Sequence, residues 1–103
     1  MFGFIKKLFG PRTDYKTLVA NGAVIIDVRT VGEFNNGHIK SALNIPVDSI
    51  GSKVNELKKK SNPIITCCAS GMRSARAADI LKQNSIEAYN GGSWVSLNSK
   101  LNS

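Results

Sequence analysis

A chain of 103 residues has room for one domain and one hydrophobic core. Its 42% apolar and 20% charged residues are those of a globular protein and exclude a disordered chain. Fourteen Lys and Arg against seven Asp and Glu leave a formal charge of +7. Two readings of that charge stand: attraction of anionic partners, from small oxyanions to a membrane surface, or plain solubility. No dense arginine-aromatic stripe accompanies it, so nucleic acid is not an expected partner. Cys67 and Cys68 are adjacent and cannot staple distant segments, which argues for a reducing, cytoplasmic setting. With His38 as the single histidine, neither a metal site nor a cofactor is expected.

Met1–Gly10 (MFGFIKKLFG) reads as an amphipathic leader ahead of a domain at 11–103. It is far short of the roughly 20 apolar residues that span a bilayer, and it has no signal-peptide cleavage pattern. A packed first helix, a frayed terminus and a weak membrane-surface anchor all remain open for it. Thr13 or Asp14 can cap a short helix through Leu18 and Val19, with Gly22 beyond its end. Ala23–Val28 (AVIIDV) has the apolar, β-branched character of a strand buried on both faces. Glu33 and Phe34 fall in a turn-rich stretch with room for a single helical turn, and Ala42–Ile45 reads as a second strand stopped by Pro46. Val47, Ile50, Val54 and Leu57 recur at helical spacing up to Lys58-Lys59-Lys60. That run suits a solvated helix C-terminus, with a partner patch as the alternative.

Pro63–Cys67 (PIITC) is a third strand running into Cys68-Ala69-Ser70-Gly71-Met72-Arg73. Ser74 is placed to cap a helix over Ala75–Gln83, Ile86–Tyr89 forms a last strand, and Gly91-Gly92 turns into a segment with Trp94. The strands are expected at 24–28, 42–45, 63–67 and 86–89. Strands alternating with helices predict an α/β three-layer sandwich around a central, mainly parallel sheet of short strands. In such sheets a reactive site belongs at the carboxyl ends of the strands, where Asp27-Val28-Arg29 and Cys68 both fall.

A cysteine leaving a strand into a short loop before a helix meets converging backbone N–H groups and a positive helix end. Both lower a thiol's pKa from its free value near 8.5. Ala69, Ser70 and Gly71 are small enough for the backbone to wrap closely, and Gly71 permits positive φ. Arg73 adds a cation that can receive an anion or pair with Asp27 or Glu33. The bland alternative for Cys68 is an inert, buried small hydrophobe.

The ordered set Ile26-Asp27-Val28-Arg29, Glu33-Phe34, Gly37-His38-Ile39 and Ala42-Leu43-Asn44-Ile45-Pro46 resembles the first half of a rhodanese domain. Cys68–Ser74 (CASGMRS) is similar to the family's active loop, and Gly91-Gly92 with Trp94 to its closing motif. The resemblance covers most of residues 12–98. It implies a rhodanese-like sulfurtransferase, a thiosulfate:acceptor enzyme or related persulfide carrier. Its cysteine would take a sulfane sulfur from a small donor such as thiosulfate and pass it to cyanide, a thiol or an acceptor protein. By the same resemblance Cys68 is the catalytic residue and Ala69, Ser70, Gly71, Met72, Arg73 and Ser74 form the loop. Asp27, Arg29 and Glu33 would organise the neighbouring loop, with direct catalysis as the alternative. Cys67 reads as packing or as a resolving thiol, His38 as a structural turn or a base, and Trp94 as core or a lid.

Two other classes compete. Counted from Cys67, the pattern Cys67-x5-Arg73-Ser74 fits the loop of cysteine-dependent phosphatases and arsenate reductases. Thr66 stands where that loop carries His, and Ser70 where it carries Gly. The third class is a non-catalytic binding module that keeps the fold.

Overall fold

The structure, a computed structural model, describes residues 13–103. The leader expected at 1–10 lies outside the described residues. Helix α1 (Tyr15–Ala20) leads into strand β1 (Val24–Asp27) and the short helix α2 (Val31–Asn35). Strand β2 (Leu43–Asn44) is followed by a 3-10 turn at Val47–Ser49 that continues as α3 (Ile50–Lys60). Strand β3 (Ile64–Cys68), helix α4 (Met72–Gln83), strand β4 (Ala88–Ser93) and helix α5 (Trp94–Leu101) complete the order. The strands line up as β2-β1-β3-β4, all pairs parallel.

Strand alternation decides the layers. Ile26, Val28, Ile64 and Cys68 face α3 and α4, joining Val54, Leu57, Ala77, Ala78 and Leu81 in one buried cluster. Ile25, Ile65 and Cys67 face the other way, onto Ile39, Leu97 and the partly buried Leu18, Val19 and Trp94. Parallel strands covered on both faces read as apolar runs because neither face meets water. All five residues of β3 are buried accordingly.

Local chemistry sets the ends. The Asp14 carboxylate caps α1, accepting from the Thr17 N–H at 3.1 Å. Thr30 and Glu33 form a reciprocal capping box that starts α2 directly after β1.

Three boundaries differ from expectation. Helix α4 begins at Met72 with Gly71 as N-cap at φ +103, so Ser74 is a buried residue of its first turn and not its cap. A left-handed residue at the loop's end turns the chain into the helix one turn early, and glycine adopts that φ without strain. Cys68 is the last residue of β3, one place further along the strand than expected. The final strand covers 88–93 rather than 86–89. Gly91-Gly92 does not end it, because β3 continues the ladder alongside as far as the Cys68–Ser93 pairing. The register slips by one residue there, since Thr66 pairs with Asn90 but Cys68 with Ser93. A Cβ at Gly91 would stand 2.7 Å from the Thr66 carbonyl oxygen, so the strands approach this closely only with glycine there.

Candidate active site

The carboxyl end of β3 delivers Cys68 to the mouth of the loop that precedes α4. Cys68 Sγ accepts the Gly71 N–H at 2.9 Å and the Ser74 N–H at 3.4 Å, with Ser74 Oγ 3.3 Å away. Thr66 Oγ1, two residues back on the same face of β3, donates to the Ser74 carbonyl at 2.7 Å and pins the first turn of α4 to the strand. Burial pushes the Cys68 thiol up. The Ser74 hydroxyl and the N–H groups of Ser74, Gly71 and Ser70 outweigh that, and its pKa lies below the ordinary value. The arrangement stabilises negative charge on sulfur.

Cys68 is fully buried beneath its own loop, while Ala69 and Ser70 are exposed and Met72 is 81% exposed. A reagent therefore reaches Sγ only where the loop gives way. A cavity of about 910 Å³ belongs to another face; it is lined by residues of α1, α5 and the 38–41 segment and by none of residues 68–74.

The sequence-selected charges divide into two pairs. Arg73 grips Glu33 bidentately, at 2.7 Å and 2.9 Å, and ties the start of α4 to α2. Arg73 is therefore a paired cation. Arg73, together with Thr30, holds the Glu33 carboxyl down at about 2. Asp27 and Arg29 form the second pair, buried, with Arg29 Nε and Nη2 donating at 2.9 Å and 2.7 Å. Arg29 also donates to the carbonyls of Gly37, at 2.7 Å, and Glu33, at 3.3 Å, and lies over the Trp94 ring. These bonds leave Asp27 and Arg29 out of reach of Cys68 Sγ as hydrogen-bond partners, but they shape the α2 segment that carries Glu33.

Cys67 occupies the opposite face, buried with Ile25, Ile65 and Leu97. Burial, and then the Asp27 carboxylate, push its thiol up to about 12. His38 is exposed, stacks on Phe34 and donates through Nδ1 to the Phe34 carbonyl at 2.7 Å. Trp94 closes the turn at Gly37 and supports Arg29.

Sequence reasoning missed Asn90. Its Oδ1 lies 2.6 Å from Ser74 Oγ and accepts the Gly92 N–H at 3.0 Å, while Nδ2 donates to the Gly71 carbonyl at 3.3 Å. The one available signal was a polar residue directly before Gly91-Gly92 in an otherwise strand-like run.

A parallel α/β sandwich whose central strand hands a cysteine to an N–H-lined loop defines a site that favours negative charge on sulfur. A family model described as "Rhodanese-like domain" matches residues 12–96, and the chain belongs to that family. It is similar to the uncharacterized protein YqhL of Bacillus subtilis, 41% identical over 69 residues, 66% of this chain and 54% of that protein. It is also similar to a tRNA sulfurtransferase of Thermoplasma acidophilum, 32% identical over 80 residues, 76% of this chain but 16% of that protein. Among solved structures, a rhodanese-like domain protein from Staphylococcus aureus matches with a TM-score of 0.65 at 30% identity, over 91% of this chain and 83% of that one. The chain spans about half the length of YqhL and a much smaller part of the tRNA enzyme.

Proposed function

We propose that this chain is a sulfurtransferase that carries sulfane sulfur as a persulfide on Cys68. The observation that carries the reading is the convergence of the Gly71 and Ser74 N–H groups on Sγ at the carboxyl end of the central strand. In the first half-reaction the thiolate attacks the outer sulfur of thiosulfate. The bond between the two thiosulfate sulfurs breaks, and its electron pair leaves with sulfite. In the second, cyanide or a thiolate attacks the outer sulfur of the persulfide. The Cys68 thiolate departs, and thiocyanate or a new persulfide is released. The N–H groups favour the negative charge in each resting form without rearranging.

Residues 69–74 form the anion-holding loop, and Glu33 positions it through Arg73. Asp27 and Arg29 act one step further out, by holding the α2 segment. The domain is residues 11–103, with 1–10 a leader ahead of it. Both cysteines are free, which suits work in the reducing cytoplasm. Among the described residues no helix is long and apolar enough to cross a membrane. Val31, Met72 and Val95 are exposed, and each lies in the first turn of a helix that follows a strand. They ring the carboxyl edge of the sheet with apolar surface, which supports an acceptor protein as the thiol partner.

The phosphatase reading needs Cys67 as nucleophile and Arg73 as anion clamp. The first faces away from the loop with its proton held, and the second is occupied by Glu33, so the geometry favours the count from Cys68. Intact-protein mass spectrometry after thiosulfate, followed by a cyanide chase, tests the proposal. One sulfur atom should be gained and then released as thiocyanate. Hydrolysis of an aryl phosphate without sulfur gain would establish the phosphatase instead. Reaction with neither would leave the binding module.

A further inference from the structure

Ser74 Oγ stands among three groups: Cys68 Sγ at 3.3 Å, the Gly71 carbonyl at 3.1 Å and Asn90 Oδ1 at 2.6 Å. A hydroxyl has one proton to give, so these three cannot all be satisfied as acceptors at once. The Asn90 amide has only one workable orientation. The Gly92 N–H needs an acceptor, which turns Oδ1 towards it and Ser74 and sets Nδ2 on the Gly71 carbonyl. That carbonyl also takes the Ala75 N–H at 3.1 Å, so the Ser74 proton is left with Asn90 Oδ1 and Sγ as its two positions. While the sulfur is a neutral thiol, the Ser74 proton therefore points at Asn90 Oδ1, and Ser74 Oγ accepts from the Cys68 S–H. A charged sulfur is the stronger acceptor, since charge-assisted hydrogen bonds are roughly twice as strong as neutral ones.

We propose that the Ser74 hydroxyl is a two-position rotor and that Asn90, across the β3–β4 bulge, is the positioning residue that sets its second position. Asn90 competes with Sγ for the proton and so acts against the thiolate. Resting on the persulfide reading above, the rotor also follows the reaction. When sulfur is loaded, the negative charge moves about 2 Å outward, one S–S bond beyond Sγ. Sγ then no longer attracts the proton, which returns to Asn90. Asn90 thus disfavours the empty thiolate and favours the loaded state. The one-residue slip at Gly91-Gly92 is what places the Asn90 amide between the loop and its own strand.

The other charged and titratable groups around Cys68 are Arg73 of α4 and its partner Glu33 of α2, Asp27 and Arg29 at the end of β1, Cys67 of β3, and exposed Asp48 on the 3-10 turn. Asn90→Ala leaves each of them in place. The test is the pH profile of Cys68 alkylation by iodoacetamide, read by mass spectrometry on the full chain. It needs no sulfur donor, so its outcome is independent of whether thiosulfate loads the protein.

Asn90→Ala should move the midpoint lower by about half a pH unit, and Ser74→Ala should move it higher. Asn90→Ala in the Ser74→Ala background should shift it hardly at all. With thiosulfate and sulfite at equilibrium, the loaded fraction of Asn90→Ala should drop severalfold. A midpoint that rises or stays in Asn90→Ala, or one that shifts equally without the Ser74 hydroxyl, overturns the proposal. Should thermal unfolding show Asn90→Ala to be misfolded, Asn90→Asp keeps the acceptor and adds charge. Its midpoint should rise, and the rise should shrink in Ser74→Ala; an undiminished rise overturns the rotor.

Discussion

Cys67 and Cys68 are neighbours in the chain and opposites in chemistry. Strand alternation sends one side chain to each face of β3. On the α5 face Cys67 is packed among Ile25, Ile65 and Leu97, with the Asp27 carboxylate adding to the cost of ionisation. On the α4 face Cys68 is equally closed to solvent, yet three N–H groups and a hydroxyl receive its charge. Burial alone therefore does not decide reactivity. What decides it is whether the buried sulfur has donors, and the strand end supplies them to one face only.

The comparison is broken most sharply by removing each sulfur. Cys68→Ser should abolish sulfur loading, because an alcohol there neither ionises nor carries a persulfide. Cys67→Ser should load at nearly the normal rate but unfold more easily. A hydroxyl without a partner in that apolar cluster costs about 1–3 kcal/mol. Mass spectrometry and urea unfolding on the two variants separate these effects, and loss of loading in Cys67→Ser would reverse the assignment.

Alkali distinguishes the two thiols next. Folded Cys67 keeps its proton up to about 12, whereas an unfolded cysteine gives it up near 8.5. A folded-state pKa raised in this way contributes stability that is complete below pH about 8.5 and is lost as pH rises. The loss should approach about 1.4 kcal/mol per pH unit, and Cys67→Ala should lack it. Cys68, with its pKa lowered in the folded state, works in the opposite sense: its contribution is present above the unfolded value and is lost as pH falls through the folded one. Urea unfolding at several pH values between 7.5 and 10 reads the difference.

The smallest effect belongs to the ion pair that ties α2 to the loop. Folded Glu33 titrates at about 2 and unfolded glutamate near 4.3. Its stabilisation is present above pH about 4.3 and disappears towards pH 2. The pair is about one-third exposed, so the contribution is small. Glu33→Gln should remove this acid-dependent part from unfolding curves. Arg73→Ala should slow sulfur loading severalfold, far less than Cys68→Ser does. An effect as large as that of Cys68→Ser would make Arg73 a catalytic residue.

Much of this was readable in the amino-acid order. Apolar β-branched runs such as Ile64-Ile65 dictate strands buried on both faces, and their alternation with helical periodicity dictates parallel pairing. The spacing from Cys68 to Gly71 marks a tight loop, because a small residue tolerant of positive φ is needed there. These are local properties of backbone and pattern. Tertiary structure decided what depends on approach across the sheet. Arg73 could have paired with Asp27 or Glu33, and the placement of α2 by its capping box gave it Glu33. Ser74 looked like a cap until Gly71 turned the chain earlier and buried it against Sγ. Asn90 acquired its place only because Gly91 lets β4 approach Thr66 closely and the register slips beside it. Such contacts join residues far apart in the chain through the geometry of two strands, and no local pattern encodes that distance.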